Sequence, residues 1–263
     1  MAPAFFLPVA KMKKRILLYP FIVVLAACRF TPASVLDLEV EGLELPAYSA
    51  DEDVISYSGF TVSYNHSTLI PDWVAYKLTA DELETRYTSQ SSSFSKDMNI
   101  RGRQASREDY SHSGWDKGHM APKADMRWSE KSYWESFYFT NICPQNHELN
   151  GGDWNTLENK IRGWAEKYGR VYVVCGPIVG QGSYGTIGRA RVQVPDAFFK
   201  ALLVPDDGSF KSVAFVFPNN GKHHRLAEYE CSVDELETLI GRNLFAALDG
   251  MGLESVESIA SMP

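Results

Sequence analysis

The stretch WDKGHMAPKADM, residues 115–126, places one histidine, His119, between an Asp-Lys-Gly run and an Ala-Pro turn. Histidine is the side chain best suited to moving protons near neutral pH. The stretch alone leaves two interpretations open. His119 is either a solvated residue of a surface loop or a general base held on a tight turn.

Two segments that follow closely favour the general base. FYFTNICPQ, residues 137–145, begins with an aromatic, β-prone run that predicts a strand at Phe137 to Thr140. LNGGDWNTLENKIRGW, residues 149–164, carries apolar residues at helical spacing, with Asn150 near the start of the predicted helix. The order of turn, strand and helix predicts a β-β-α unit with His119 at one end and Asn150 at the other.

The rest of the chain predicts an α+β domain. Short apolar runs predict strands, and the polar, serine-rich residues 88–109 predict a long loop. We therefore expect a mixed, mostly antiparallel sheet flanked by helices. The predicted strands cover 170–178, 198–204 and 211–219, and the predicted helices cover 153–167 and 232–248.

The first residues predict an export signal that precedes the domain. Three positive charges follow Met12, a short apolar stretch comes next, and Leu-Ala-Ala-Cys ends at Cys28. This layout predicts a lipoprotein-type signal peptide over 1–27, with the true start at Met12 and a lipid on Cys28. Residues 28–54 would then form a tether. We expect an exported protein, anchored to a membrane of the bacterial cell envelope on the periplasmic side or the outer surface; an ordinary signal peptide with an incidental cysteine is the alternative.

The charge balance argues against nucleic-acid binding through a generally basic surface. The chain has a formal net charge of −7, and residues 1–27 hold four of its 26 basic residues and no acidic one, so removing them leaves −11. Proteins with a broad electrostatic footprint for nucleic acid are usually basic. A polyanionic partner must therefore be held by local positive charge or by a metal ion.

The cysteines allow one disulfide at most once Cys28 carries a lipid. Three thiols remain, and an odd number cannot all pair within the chain. Their spacing matches no zinc pattern and does not decide which two would pair. The three are Cys143, Cys175 and Cys231.

Phosphodiester hydrolysis needs a base for the attacking water and a positive charge for the phosphoryl oxygens. A neutral imidazole such as that of His119 meets the first need. Mg²⁺ meets the second and requires few protein ligands, so the side-chain carbonyl of Asn150 can suffice. Positions 154, 158 and 162 follow Asn150 at four-residue spacing. Glu158 could then hold metal-bound water or orient Asn150, and Arg162 could pair with Glu158 or reach a phosphate.

Three motifs together resemble the signature of the DNA/RNA non-specific endonuclease family, the ββα-metal or His-Me finger nucleases. Residues 116–122, DKGHMAP, resemble the family's Asp-Arg-Gly-His followed by Met/Leu-Ala-Pro. Residues 140–145 resemble its Thr/Ser-Asn-x-x-Pro-Gln strand end, and residues 150–158 its Asn-x-Gly-x-Trp-x-x-Leu-Glu segment. The resemblance places the endonuclease domain at 55–250, with a C-terminal tail at 251–263.

The resemblance implies a metal-dependent endonuclease that acts on DNA and RNA and leaves 5′-phosphates, with Mg²⁺ as cofactor and Mn²⁺ as a substitute. It makes His119 the general base and Asn150 the one protein ligand of the metal. Lys117 stands where the family usually has arginine, so the charge is kept and the bidentate phosphate geometry is lost. The other implied catalytic residues are Glu158, Arg103 and Arg162, and the implied substrate-binding or supporting residues are Asp116, Lys117, Asn141 and Gln145.

Two other functions remain as alternatives. A catalytically inactive family member could act as an envelope nucleic-acid-binding protein, although the intact His119, Asn150 and Glu158 argue against that. A phosphatase or phosphodiesterase acting on small molecules at the envelope is the other alternative. Cleavage of plasmid DNA in Mg²⁺ distinguishes both from an endonuclease.

Overall fold

In the computed structural model, which describes residues 40–88, 93–180 and 184–263, a large antiparallel sheet carries helices on both of its faces. The predictions for residues 1–27 and for Cys28 lie outside the described residues. The strands are β1 (Asp53–Ser56), β2 (Thr61–Asn65), β3 (Ile70–Thr79), β4 (Asp116–His119), β5 (Ile142–Gln145), β6 (Arg170–Ile178), β7 (Thr186–Ile187), β8 (Val192–Gln193), β9 (Ala197–Asp206), β10 (Ser209–Pro218) and β11 (Glu230–Cys231).

Short helical elements surround two longer helices. The α-helices are α1 (Ala80–Glu84), α2 (Arg107–Tyr110), α3 (Glu130–Glu135), α4 (His147–Leu149), α5 (Asn155–Tyr168) and α6 (Val233–Ile240). A π-helical segment, Asn150–Trp154, joins α4 to α5. Turns of 3₁₀-helix cover Phe139–Asn141, Leu226–Glu228, Ala246–Met251 and Glu254–Val256.

The large sheet has the strand order β1-β2-β3-β6-β9-β10-β11, with every neighbouring pair antiparallel. Its central strands are almost continuously apolar because both of their faces are covered. Along β9, Phe198 and Leu202 join one core cluster, whereas Phe199 and Leu203 join the other. The predicted α+β fold with a mostly antiparallel sheet is confirmed.

Each face of the sheet is covered by one of the longer helices. Leu157 and Ile161 of α5 belong to the same buried cluster as Phe198 and Leu202. Leu236 of α6 belongs to the cluster on the other face. Alternation along each strand therefore sends successive side chains to two separate cores.

The β4–β5 pair forms a second, two-stranded sheet, joined to the large sheet by Asn219. The Asn219 side chain donates to the carbonyls of Pro144 (3.2 Å) and Pro195 (2.8 Å) and accepts from the backbone amide of Asn146 (2.8 Å). Asn219 is 1% exposed, so these bonds replace contacts with water. One buried amide thus fixes the end of β5 beside the large sheet.

Most of the predicted elements lie where the sequence placed them. The predicted strand 170–178 coincides with β6, and 198–204 and 211–219 lie within or overlap β9 and β10. The predicted helix 153–167 corresponds to the end of the π-helical segment and to α5.

Two predicted elements are wrong in type or length. The run at Phe137 to Thr140 is not a strand: Tyr138 forms only an isolated bridge with Ser95, a 3₁₀ turn begins at Phe139, and pairing with β4 begins at Ile142. The last helix ends at Ile240 rather than 248, because Gly241 turns the backbone left-handed with φ of 68°.

Two further features concern the cysteines and the C-terminus. Cys143, Cys175 and Cys231 are free thiols. The residues predicted as a tail include Ala260, which forms a parallel bridge with Ser212 of β10.

In the part of the chain that the structure describes, no helix combines the length and apolar character needed to cross a bilayer.

We expect Asn219→Ala to lower the free energy of unfolding by about 2–4 kcal/mol, because three buried backbone groups lose their partner. Urea denaturation followed by circular dichroism measures this. Asn99→Ala, an exposed control whose side chain makes no hydrogen bond to a described residue, should change stability by less than about 0.5 kcal/mol. Equal effects of the two substitutions would contradict the anchoring role of Asn219.

Candidate active site

His119 is the last residue of β4 and lies opposite Ile142 of β5, so it belongs to a strand end rather than to a turn. Its ring lies against Phe94 and Phe137, with ring centroids 5.4 and 5.2 Å away. The side chain is half-buried, and its Nε2 atom is shielded from solvent without a hydrogen-bond partner among the described residues. That nitrogen is free to accept a proton.

The surroundings of His119 keep its imidazole neutral. Burial and, secondarily, the ammonium of Lys123 lower the pKa of His119 to about 3. A general base must be unprotonated at working pH. The imidazole meets that condition across the neutral range.

Asn141 holds the chain that follows His119. Its Nδ2 donates to the carbonyls of Ala121 and Ser136, both at 2.9 Å, and its Oδ1 accepts from the Ala121 amide at 2.8 Å. The Asn141 carbonyl also accepts from the Met120 amide at 3.0 Å. Asn141 is fully buried, and its place in a 3₁₀ turn rather than in the predicted strand directs its side chain to these partners.

Asp116 brings the other predicted site residue, Asn150, to the β4–β5 unit. One carboxylate oxygen, Oδ2, accepts from Asn150 Nδ2 at 3.0 Å and from His147 Nδ1 at 2.9 Å. The bond to Asp116 fixes which end of the Asn150 amide is the carbonyl. Oδ1 of Asn150 accepts no hydrogen bond from any described residue.

This oxygen fits Mg²⁺, which prefers hard oxygen ligands and keeps much of its own water. Among the described residues no three His, Cys, Asp or Glu side chains form a cluster that could hold a metal ion. A cation at Asn150 would therefore retain most of its charge for the substrate.

The π-helical segment sets the position of Asn150. Gly152 departs from helical geometry (φ −102°, ψ −106°), and a Cβ there would lie 2.6 Å from the His223 ring. Asp153 is held by the Tyr229 hydroxyl at 2.7 Å and the His224 amide at 3.1 Å. The wider turn interrupts the four-residue spacing expected from Asn150 onward.

Glu158 and Arg162 lie in a buried group of charges on α5. Arg162 donates to Asp125 Oδ1 at 2.6 Å and to Asn159 Oδ1 at 2.8 Å, so its ion pair is with Asp125 rather than with Glu158. Burial raises the pKa of Glu158 to about 7, although Lys200 and Arg162 act in the opposite direction. The group therefore contains a carboxyl that titrates near neutral pH.

Lys200 is a residue of this region to which the sequence analysis assigned no role. It is fully buried on β9, with Nζ 4.3 Å from the centre of the Trp154 ring and 3.4 Å from the Met120 carbonyl. It thus contacts both the residue after His119 and the end of the segment that starts at Asn150. A lysine inside the apolar run FFKALLV was the available signal, because an interior charge needs partners.

The remaining predicted residues differ in their surroundings. Arg103 is exposed, and its guanidinium donates to the Ala190 carbonyl. The Lys117 ammonium lies 5.3 Å from the centre of the Phe94 ring, which also contacts His119. Gln145 is fully buried, and neither of its amide atoms has a hydrogen-bond partner among the described residues.

Gly118 is required for the close approach of Gln145. A Cβ at position 118 would lie 2.1 Å from Oε1 of Gln145 and 2.7 Å from its Cβ. The glycine of the DKGH motif therefore lets β5 pack directly against β4, next to His119.

Comparison with known proteins gives one family. Its model, described as DNA/RNA non-specific endonuclease, matches residues 44–250. The mitochondrial nuclease EXOG of Danio rerio is 37% identical over 78% of this chain and 64% of its own length. The mitochondrial nuclease of Saccharomyces cerevisiae is 31% identical over 73% of this chain and 65% of its own length. The chain thus spans less than two thirds of these relatives.

A solved structure has a similar fold. A chain of the crystal structure of the EndoG/EndoGI complex has a TM-score of 0.68 and 27% identity to this protein. The match covers 76% of this chain and 88% of that chain.

The predicted location at a bacterial cell envelope is contradicted by these relatives. EXOG of zebrafish, frog and human and the yeast enzyme all carry mitochondrial names. They point to mitochondria rather than to an envelope, and the predicted location is corrected accordingly.

We expect the free energy of unfolding of Glu158→Gln, relative to that of wild type, to increase as pH rises. The folded-state pKa of about 7 lies above the ordinary value of 4.5, so the folded protein retains a proton that the unfolded chain has lost. Wild-type stability therefore falls between these two pH values, by up to about 2–3 kcal/mol, and the variant lacks this loss.

Urea denaturation at pH 5 and pH 8 measures the difference. Glu166→Gln, at an exposed position of the same helix, is the matched control and should show no pH-dependent difference from wild type. A Glu158→Gln effect that is the same at both pH values would contradict the raised pKa.

Proposed function

Because this chain belongs to the DNA/RNA non-specific endonuclease family, we propose that it hydrolyses internal phosphodiester bonds of DNA and RNA. The observation that carries the proposal is the pairing of two free acceptors on one small unit. His119 Nε2 has no partner among the described residues, and Asn150 Oδ1 is left free by the bond from its amide nitrogen to Asp116. One acceptor suits a proton and the other suits a cation.

His119 acts as the general base that takes a proton from the attacking water. Its low pKa keeps it unprotonated, and Asn141 holds the backbone that follows it. The wall formed by Phe94 and Phe137 fixes the ring plane. The base is therefore in place before substrate binds, which lowers the entropic cost of the reaction.

Asn150 would hold a magnesium ion through Oδ1, and Mn²⁺ could take its place. When bound, the ion supplies positive charge to the phosphoryl and leaving oxygens. Asp116 orients the Asn150 amide so that its carbonyl oxygen faces the ion. Glu158 on α5 would hold water bound to the ion. The products carry 5′-phosphates.

Positive side chains on the protein complement the ion. Arg103 and Arg162 stabilise charge that develops on the phosphate, with Arg162 held in place by its bond to Asp125. Lys117 places a positive charge above the Phe94 ring, and Gln145 packs against Gly118 of β4. An inactive nucleic-acid-binding member is not favoured, since both free acceptors would then have no use.

We expect His119→Ala to abolish cleavage of supercoiled plasmid and of RNA while the fold is retained, because no other base replaces the imidazole. Loss of a general base costs about 10²–10⁴-fold in rate. Gel electrophoresis in Mg²⁺ with and without EDTA, with circular dichroism as the folding check, measures this. His66→Ala, in the turn after β2, should cleave like wild type.

Plasmid cleavage by His119→Ala at the wild-type rate would refute the assignment of the base. Wild-type hydrolysis that resists EDTA would refute the metal. A band that shifts without being cleaved would favour an inactive binding protein, and hydrolysis of an aryl phosphodiester without plasmid cleavage would favour a small-molecule enzyme.

We expect Asp116→Ala to raise the Mg²⁺ concentration needed for half-maximal activity by about 10–100-fold, because the Asn150 amide loses the partner that orients it. A titration of plasmid cleavage against Mg²⁺ measures this. Asp81→Ala, an exposed carboxylate on α1, controls for the loss of one negative charge. The same Mg²⁺ dependence in both variants would contradict the orienting role.

A further inference from the structure

Two adjoining cavities are lined in part by residues that follow β4, the strand that ends at His119. One, of about 220 Å³, is lined by Thr88, Lys123, Ala124, Arg127 and Tyr133. The other, of about 150 Å³, shares Ala124 and Arg127 with the first. We call the two cavities together the basic groove, because its cationic lining residues are Arg86, Lys123, Arg127 and Arg162.

The groove lies next to His119 in space as well as in sequence. Tyr133 forms part of its wall and packs on Phe137 with ring centroids 5.1 Å apart. Phe137 in turn lies 5.2 Å from the His119 ring. Lys123 acts electrostatically on His119, which places its ammonium within range of the base. The groove and the His119 ring therefore lie on the same aromatic cluster, that of Tyr133 and Phe137.

The wider cavity contains two cationic side chains, those of Lys123 and Arg127. Neither Lys123 nor Arg127 forms an ion pair with a described residue. Arg127 is nevertheless held in place, because its Nε donates to the Tyr87 carbonyl at 3.0 Å, and its two terminal nitrogens donate to no described residue. An arginine fixed in this way is suited to a phosphate oxygen.

The acidic residues near the groove are Glu82, Glu166 and Asp125, and none of them forms an ion pair with Lys123 or Arg127. Glu82 lines the narrower cavity, and its carboxylate accepts from the amide and hydroxyl of Thr79 in a capping box. Asp125 is engaged by Arg162. In a chain with a net charge of −7, a groove with two cations that form no ion pair with a described residue is a local exception that suits a polyanion.

We propose that the basic groove binds a phosphate of the polynucleotide other than the one being cleaved, with Lys123 and Arg127 as its ligands. The inference rests on the proposed nuclease function and adds a substrate preference to it. A substrate long enough to reach the groove gains this contact, whereas a dinucleotide has only the scissile phosphate and cannot. The enzyme should therefore favour long chains.

The test compares plasmid DNA with a dinucleotide as substrates of wild type, Arg127→Ala and Lys123→Gln. We expect the ratio of kcat/KM for plasmid to kcat/KM for the dinucleotide to fall about tenfold in each variant, through a higher KM for plasmid, because one charge-assisted contact is lost. The slope of log KM for plasmid against log salt concentration should decrease by about 1 for each cation removed.

Lys131→Ala is the matched control. Its side chain is 77% exposed and pairs with Glu135 on α3, so the substitution removes one positive charge outside the groove. It should keep both the wild-type substrate ratio and the wild-type salt slope. Arg127→Lys, which keeps the charge, should recover part of the plasmid KM, and it replaces Arg127→Ala if thermal melting shows that the alanine variant is unfolded.

The outcomes distinguish a failure of the groove proposal from a failure of the proposed nuclease function. A wild-type protein that cleaves plasmid, with groove variants that keep its substrate ratio and salt slope, would overturn the groove while leaving the nuclease function intact. A fall of equal size in Lys131→Ala would also overturn it, because general charge would then explain the effect. A wild-type protein that cleaves no polynucleotide would overturn the proposed function itself.

Discussion

The hydrogen bond between the Asp116 carboxylate and the Asn150 amide, 3.0 Å long, is the interaction on which the site depends. It joins the start of β4, whose other end is His119, to the π-helical segment that leads into α5. The bond also decides which atom of Asn150 faces outward. Without it, the Asn150 amide would lose the partner that orients it.

The scaffold behind this bond holds both elements to one sheet. Lys200, on the inner strand β9, contacts the Met120 carbonyl on one side and the Trp154 ring on the other. Asn219 fixes the end of β5 to the same sheet. The cost of burying Lys200 is offset by the carboxyls of Asp125 and Glu158, so stability and site geometry share the same charges.

Short motifs and the periodicity of apolar residues made much of the fold and the family predictable from the sequence. Three motifs identified the family correctly, because each is a short stretch whose residues lie together: His119 at a strand end, Asn141 holding the next turn, and Asn150 before a helix. Periodicity placed β6, β9, β10 and α5, since their apolar faces are long. The aromatic run at Phe137 misled the strand prediction because its rings serve the core and the wall beside His119.

Long-range partners could not be read from the sequence. The ion pair of Arg162 with Asp125 spans 37 residues, and the contact of Lys200 with Met120 spans 80. The π-helical turn at Asn150 depends on the fit of His223 against Gly152, which no local pattern encodes. These features arise from tertiary packing, which overrides spacing rules based on a regular helix.

Anomalous diffraction from crystals grown with Mn²⁺ tests the central claim most directly. The account predicts a manganese peak in direct coordination with Asn150 Oδ1, while the amide nitrogen still donates to Asp116. A peak held by the Asp116 carboxylate, or by Asp153 with His223, and an Asn150 Oδ1 that remains free of metal, would contradict it.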